Sequence, residues 1–200
     1  HLTKDIVGRV LACPDTVLQT KDAIETDHPD IIKVTVDNEA SKQNVNRFLE
    51  SQGFEVSVDQ EGTEFHVIGK REDGALPEPP VVEKPETGQK KIMIMVANDC
   101  MGHGDNELGS KLMLSFLKTL KEMGPDLWRL VFVNNGVKLT IDGSEVLDDL
   151  KDFEKDGLTI LVCGTCLTHF GLLEAKQVGE TTNMLDIVTA MQLADKVINL

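Results

Sequence analysis

"REDGALPEPPVVEKPETGQ", residues 71–89, is where the chain changes character. It holds Pro77, Pro79, Pro80 and Pro85, four of the seven prolines in 200 residues, set among acidic side chains with little periodicity. Such a composition buries little and favours extended backbone, so the stretch reads as a tether between two separately patterned halves. In polyproline-like form, at about 3.1 Å per residue, it would reach roughly 50–60 Å, enough for two domains to meet or separate. The expected organisation is a domain at 1–70, a linker at 71–89 and a domain at 90–200.

Ahead of the tether, "DIVGRVL" (5–11) reads as a strand, 14–25 as a helix, "IIKVTVD" (31–37) as a strand and 39–52 as a helix stopped by Gly53. Val45, Phe48, Leu49 and Gln52 fall near one face of that second helix, and glycine suits a left-handed cap. "FEVSVDQ" (54–60) and "TEFHVIG" (63–69) alternate with period two around a turn at Glu61-Gly62, as a hairpin does. The order β-α-β-α-β-β implies an α+β two-layer sandwich. Beyond the tether, "KIMIMVA", "LWRLVFV", "LTILVCG" and "KVINL" read as buried strands, with helices expected at 107–123, 144–156 and 183–194. Ser144 and Asn183 suit N-cap positions. Strands alternating with helices predict a doubly wound, mostly parallel three-layer sheet, so the fold class is α/β.

A net charge of −14 and a pI near 4.7 leave no basic surplus for displacing counterions from phosphates, which argues against a nucleic-acid partner. No apolar run approaches the roughly 18 residues of a membrane span, and no basic, apolar, small-residue signal pattern opens the sequence. A soluble, cytoplasmic protein is expected. In such a compartment Cys13, Cys100, Cys163 and Cys166 are thiols with a task or plain core residues, too few and too unevenly placed for a disulfide scaffold.

Cys13, in "CPDT", stands where a strand gives way to a helix that Pro14 can open. The unpaired N–H groups of a helix start favour thiolate there, while the Asp15 carboxylate opposes it. Cys163 and Cys166, in "VCGTC", close a strand at the edge where open α/β sheets place their chemistry. A Cys-x-x-Cys pair can cycle as a disulfide, give two zinc ligands, or hold an attacking and a resolving thiol. The loop "NDCMGHGDNELG" (98–109) has glycines without the dinucleotide spacing, and its acids would repel phosphate. With a strand order of 2-1-3, this loop and "VCGTC" would face one crevice and Cys100 would approach the pair. Cys100, His103, Cys163, Cys166 and His169 together would then supply enough soft ligands for zinc, the minor alternative at this site. Asn134, Asn135 and Gly136 read as a turn with ligand contact secondary, and Lys138 as a solvated cation or an anion guide.

Residues 5–70 resemble the TusA/SirA family of sulfur carriers through "CPDT" followed by Thr20-Lys21, with Thr16 standing where that family's motif has a second proline. Residues 90–200 resemble the DsrE/DsrF-like family through "MGHGDNELG", "NNGVKL", "VCGTC" and "VGETTNMLDIV". The whole chain is similar to the YedF family of sulfurtransferase-like selenium metabolism proteins. The resemblance implies a persulfide-sulfur or selenium carrier without a cofactor, acting through Cys13 and the C-terminal thiols with donor and acceptor proteins as partners. Self-association, where it occurs, is expected through the C-terminal domain. Beside it stands the reading of a non-catalytic regulatory or interaction protein whose thiols are buried or sense redox state.

Overall fold

The computed structural model describes residues 2–8, 15–71 and 88–200. The chain divides into two units, His1–Lys84 and Pro85–Leu200, each taken here by itself.

The first unit runs β1 (Thr3–Val7), α1 (Asp15–Asp27), β2 (Ile31–Val36), α2 (Glu39–Ser51), β3 (Glu55–Glu61) and β4 (Glu64–Lys70). Its sheet has the order β1-β2-β4-β3, with β1 parallel to β2 and the other pairs antiparallel. Ile32, Val34 and Val36 alternate along β2 and are fully buried, as are Val67 of β4 and Val45 and Leu49 of α2. That period-two array meeting a helical stripe is the core. Asn38 caps α2, its Oδ1 accepting the Ser41 N–H at 2.8 Å, and Gly53 turns the chain away at φ 79°. Gly62, at φ 63°, makes the hairpin turn between the paired Glu61 and Glu64. The last residues of the expected first strand, Cys13 after it, the start of the expected first helix, and residues 72–87 of the expected linker lie outside the described residues.

The second unit runs β5 (Ile92–Val96), α3 (Asn106–Thr119), β6 (Leu127–Phe132), α4 (Leu147–Lys155), β7 (Thr159–Cys163), α5 (Gly164–His169), β8 (Glu180–Thr182), α6 (Met184–Leu193) and β9 (Lys196–Asn199). Tight 3₁₀ turns at Leu120–Asp126, Asn134–Thr140 and Leu173–Ala175 join some of them. All strands are parallel, as the alternation of strand and helix predicts. One face of the sheet packs Ile94, Leu130, Phe132, Ile160 and Val162 with Met113 and Leu117 of α3, Leu150 of α4 and Leu167 of α5. The other packs Met93, Val131 and Leu161 against Ile187 and Ala190 of α6. Both faces are covered, which is why these strands read as continuous apolar runs.

The strand order is β8-β7-β6-β5-β9, not the 2-1-3 arrangement expected for the first three strands. Right-handed crossovers with α3 and then α4 on the same face carry the chain in one direction, so β6 lies between β5 and β7. The direction reverses only at α6, which crosses the other face and sets β9 beside β5. Two helix ends also differ. Ser144 makes a turn before α4 instead of capping it, its carbonyl accepting the Leu147 N–H at 3.3 Å. α3 stops at Thr119, where the chain tightens ahead of Gly124, held at φ 57°, and Pro125. Among the described residues no helix is long and apolar enough to cross a membrane.

Candidate functional site

Because the second sheet is parallel, β5, β6 and β7 all end at one edge, and the thiols stand there in three different settings. Cys163 is the last residue of β7, paired with Thr182 of β8 and turned into the apolar core at 5% exposure. Cys166 lies one turn later in α5, half-buried. Its Sγ accepts the backbone N–H of Asn134 at 3.1 Å. Asn134 opens the turn after β6 at φ 50°, a left-handed conformation that asparagine tolerates better than most residues.

The segment carrying Asn134 is clamped to the end of β5. Val133 donates its N–H to the Val96 carbonyl at 3.0 Å, and Gly136 packs so closely on that carbonyl that a Cβ would stand 2.1 Å from its oxygen. Only glycine permits the approach. The result is an amide N–H held by backbone contacts and aimed at sulfur, where it can solvate a thiolate or the terminal atom of a persulfide. Lys138, four residues on, stacks its ammonium over Phe170, the residue that ends α5, at 4.7 Å. A cation is thereby fixed on the helix that bears Cys166.

Cys100 sits in the loop after β5, its Sγ donating to the Asn106 carbonyl at 3.5 Å. Partial desolvation first, then the charge and hydrogen bond of the adjacent Asp99, push its pKa above the ordinary thiol value. The raised pKa leaves less thiolate at a given pH and makes Cys100 a poorer nucleophile than an ordinary thiol. It shares the edge with the pair, but β6 stands between, and two inter-strand spacings set the ends of β5 and β7 about 10 Å apart. What reaches Cys166 is the Asn134 segment. None of these three cysteines is joined in a disulfide.

For the zinc alternative, no three His, Cys, Asp or Glu side chains among the described residues are grouped to hold an ion. The spacing that suggested it is divided by the fold. Cys163 turns inward, Cys166 meets the β6 turn, and His169 sets its ring edge on Phe170 at 5.2 Å. In the first unit, Asp15 begins α1, and Thr16 is 3% exposed and packed against Gly8, where a Cβ would stand 2.6 Å from its Cγ2. Sequence reading ranked Asn134 below the cysteines. What Asn134 brings to Cys166 is a main-chain amide, signalled only by Asn-Asn-Gly after a strand.

Comparison with known proteins places residues 8–71 under the family model for sulfurtransferase TusA and residues 90–200 under that of the DsrE/DsrF-like family. Among solved structures, the chain is similar to the YchN protein of E. coli at 21% identity, covering 56% of this chain and 99% of that one, TM-score 0.44. A SirA-like protein of Desulfitobacterium hafniense matches at 23% identity, covering 34% and 95%, TM-score 0.32. A protein of unknown function from Methanobacterium thermoautotrophicum matches at 16% identity, covering 56% and 100%, TM-score 0.44. No curated protein matches the chain.

Proposed function

The chain belongs to the DsrE/DsrF-like family and carries a TusA region ahead of it, and from that premise we propose a two-domain carrier that takes a sulfane sulfur onto a cysteine and hands it on. Both families are of the sulfur-relay, sulfurtransferase type. The observation that carries the reading is the Asn134 N–H aimed at Cys166 Sγ. The Cys166 thiolate attacks the sulfane sulfur of a donor persulfide, the donor's S–S bond breaks, and the donor leaves as a thiolate that takes its proton from water. Cys166 then holds a persulfide. An acceptor thiolate attacks the terminal sulfur and Cys166 departs as thiolate, so no oxidant is consumed.

In this reading Cys13 carries sulfur on the N-terminal domain, 1–70, the tether at 71–89 permits transfer, and Cys166 serves the domain at 90–200. Cys163 and Cys100 are the supporting thiols. Selenium in the same oxidation state is displaced by the same attack and is the second cargo. The partners are donor and acceptor proteins, copies of the chain associate through the C-terminal domain, and the cytoplasm is the compartment in which such thiols stay reduced.

Intact-mass measurement after incubation with glutathione persulfide tests this. A reducible gain of one sulfur is expected on the peptide holding Cys166, lost in Cys166→Ser and kept in Cys163→Ser. No reducible gain on any cysteine would refute carriage. The burial of Cys163 favours a second reading, a redox-sensing regulatory protein. A reversible Cys163–Cys166 disulfide without sulfur gain in the same experiment would select it.

A further inference from the structure

Most of the exposed large apolar side chains of the second unit gather at one end. Leu108 and Leu112 of α3, Met184, Val188 and Leu193 of α6, and Val197 of β9 are between 39% and 56% exposed. At the opposite end of the sheet, α4, α5 and β8 contribute none among the described residues. Helical phase gives these residues a direction. With Met113 and Leu117 turned to the sheet, Leu108 and Leu112 lie on the flank of α3 toward β9. With Ile187 and Ala190 turned to the sheet's other face, Met184 and Val188 lie on the corresponding flank of α6, while Leu193 lies on the far side and takes no part.

Between these two flanks β9 is an edge strand, bonded among the described residues to β5 alone. The N–H groups of Lys196 and Leu200 point inward to the carbonyls of Lys91 and Met95. By the alternation of a strand, the N–H and C=O groups of Val197 and Asn199 point outward. A free edge bordered on both faces by apolar side chains is what folded proteins ordinarily cover.

We infer that a second copy of this chain covers it, β9 pairing antiparallel with β9 about a two-fold axis at Ile198. Outward groups at residues i and i+2 are self-complementary in that register: Val197 lies opposite the other copy's Asn199, each donating to the other, and Ile198 lies opposite itself. The two-fold sets α3 beside α3 and α6 beside α6, so the exposed leucines, methionine and valines meet their own kind. They offer on the order of 400 Å² of apolar area per protomer, about half of the roughly 800 Å² per partner that a stable interface buries; the strand edge and polar rim supply the rest. With a net charge of −14 on each copy, repulsion opposes pairing and salt relieves it.

This gives the proposed self-association a surface and rests on nothing else in that reading. Sedimentation equilibrium of the full chain over a concentration series tests it, at low and at moderate salt. The mass is expected to rise from 22.0 kDa toward twice that value, further at the higher salt. Leu112→Glu and Val188→Glu, both at exposed positions, hold it at the single-chain mass, with circular dichroism and melting reporting an intact fold. Ile198→Cys gives an inter-chain disulfide under mild oxidation beyond that of the wild type, and Lys196→Cys does not. A single-chain mass for the wild type throughout overturns both the edge pairing and the self-association. A dimer that survives both glutamates and does not cross-link at position 198 overturns the edge pairing alone.

Discussion

Replacing Gly136 by alanine strikes the contact that aims the Asn134 amide. The new Cβ would stand 2.1 Å from the Val96 oxygen and 3.0 Å from its carbonyl carbon, against 3.4 Å or more in ordinary contact. Both neighbours are main chain, so no flexible tip can yield, and the segments must part by about 1 Å or more. Overpacking of this kind costs about 1–3 kcal/mol, and a backbone obstacle belongs in the upper half of that range. At about 3–5 °C per kcal/mol for a unit of this size, the melting temperature falls by about 6–15 °C. The same movement draws the Asn134 N–H away from Cys166, where it now stands at 3.1 Å. Losing one hydrogen bond to a charged sulfur, worth about 1.5 kcal/mol or more, slows persulfide loading at Cys166 by about tenfold or more. Scanning calorimetry reads the first effect and a mass-spectrometric time course with glutathione persulfide reads the second, with Asn135→Ala as the neighbouring control. A variant that melts within about 1 °C of the wild type refutes the steric argument. One that melts lower yet loads Cys166 at the wild-type rate refutes the role given to the amide.

Asn134→Gly keeps the N–H and suits φ 50°, so it should load normally and melt no lower, whereas Asn134→Val should cost about 1–2 kcal/mol and load slowly. Equal melting temperatures for the two would contradict the left-handed requirement. Asp99→Asn removes a carboxylate that raises the Cys100 pKa, so thiolate appears at lower pH. Labelling of Cys100 between pH 7 and 9 should accelerate, and an unchanged or slower rate would count against the electrostatic account. Leu167, fully buried on α5, should cost about 2–5 kcal/mol as Leu167→Ala in urea unfolding, and a loss below about 1 kcal/mol would show α5 to be loosely packed.

Local patterns in the sequence carried the elements well where one face is buried and the other is not. Ile32, Val34 and Val36 alternate inward and mark β2, while Asn38 and Gly53 bracket α2 because a side-chain acceptor and a left-handed residue answer local needs of a helix end. Ser144 shows where such signals stop: the same hydroxyl serves a turn as readily as a cap, and Val146, buried before α4, fixes the later start. β8 was missed because Glu180–Thr182 is too short to show a period. Its pairing with β7 decides that Cys163 is covered rather than exposed at the sheet edge.

Strand order is not a local property. It depends on which face each crossover helix takes, and a strand buried on both sides looks alike whichever neighbour it has. Reading β5 beside β7 made Cys100 the natural companion of the Cys-Gly-Thr-Cys pair. With β6 between them, the companion is instead the turn after β6, and the group it offers is a main-chain N–H that no residue type advertises. The same insertion separates the thiols by chemistry as well as by distance. Cys100 is left beside Asp99, which helps raise its pKa, Cys163 is folded into the core, and Cys166 keeps both partial exposure and a donor. On the proposed function, the reactive sulfur is selected less by the Cys-x-x-Cys spacing than by the strand that lies next to it. Gly136, which lets that neighbouring turn close on Val96, is what sets the position of the amide that meets Cys166.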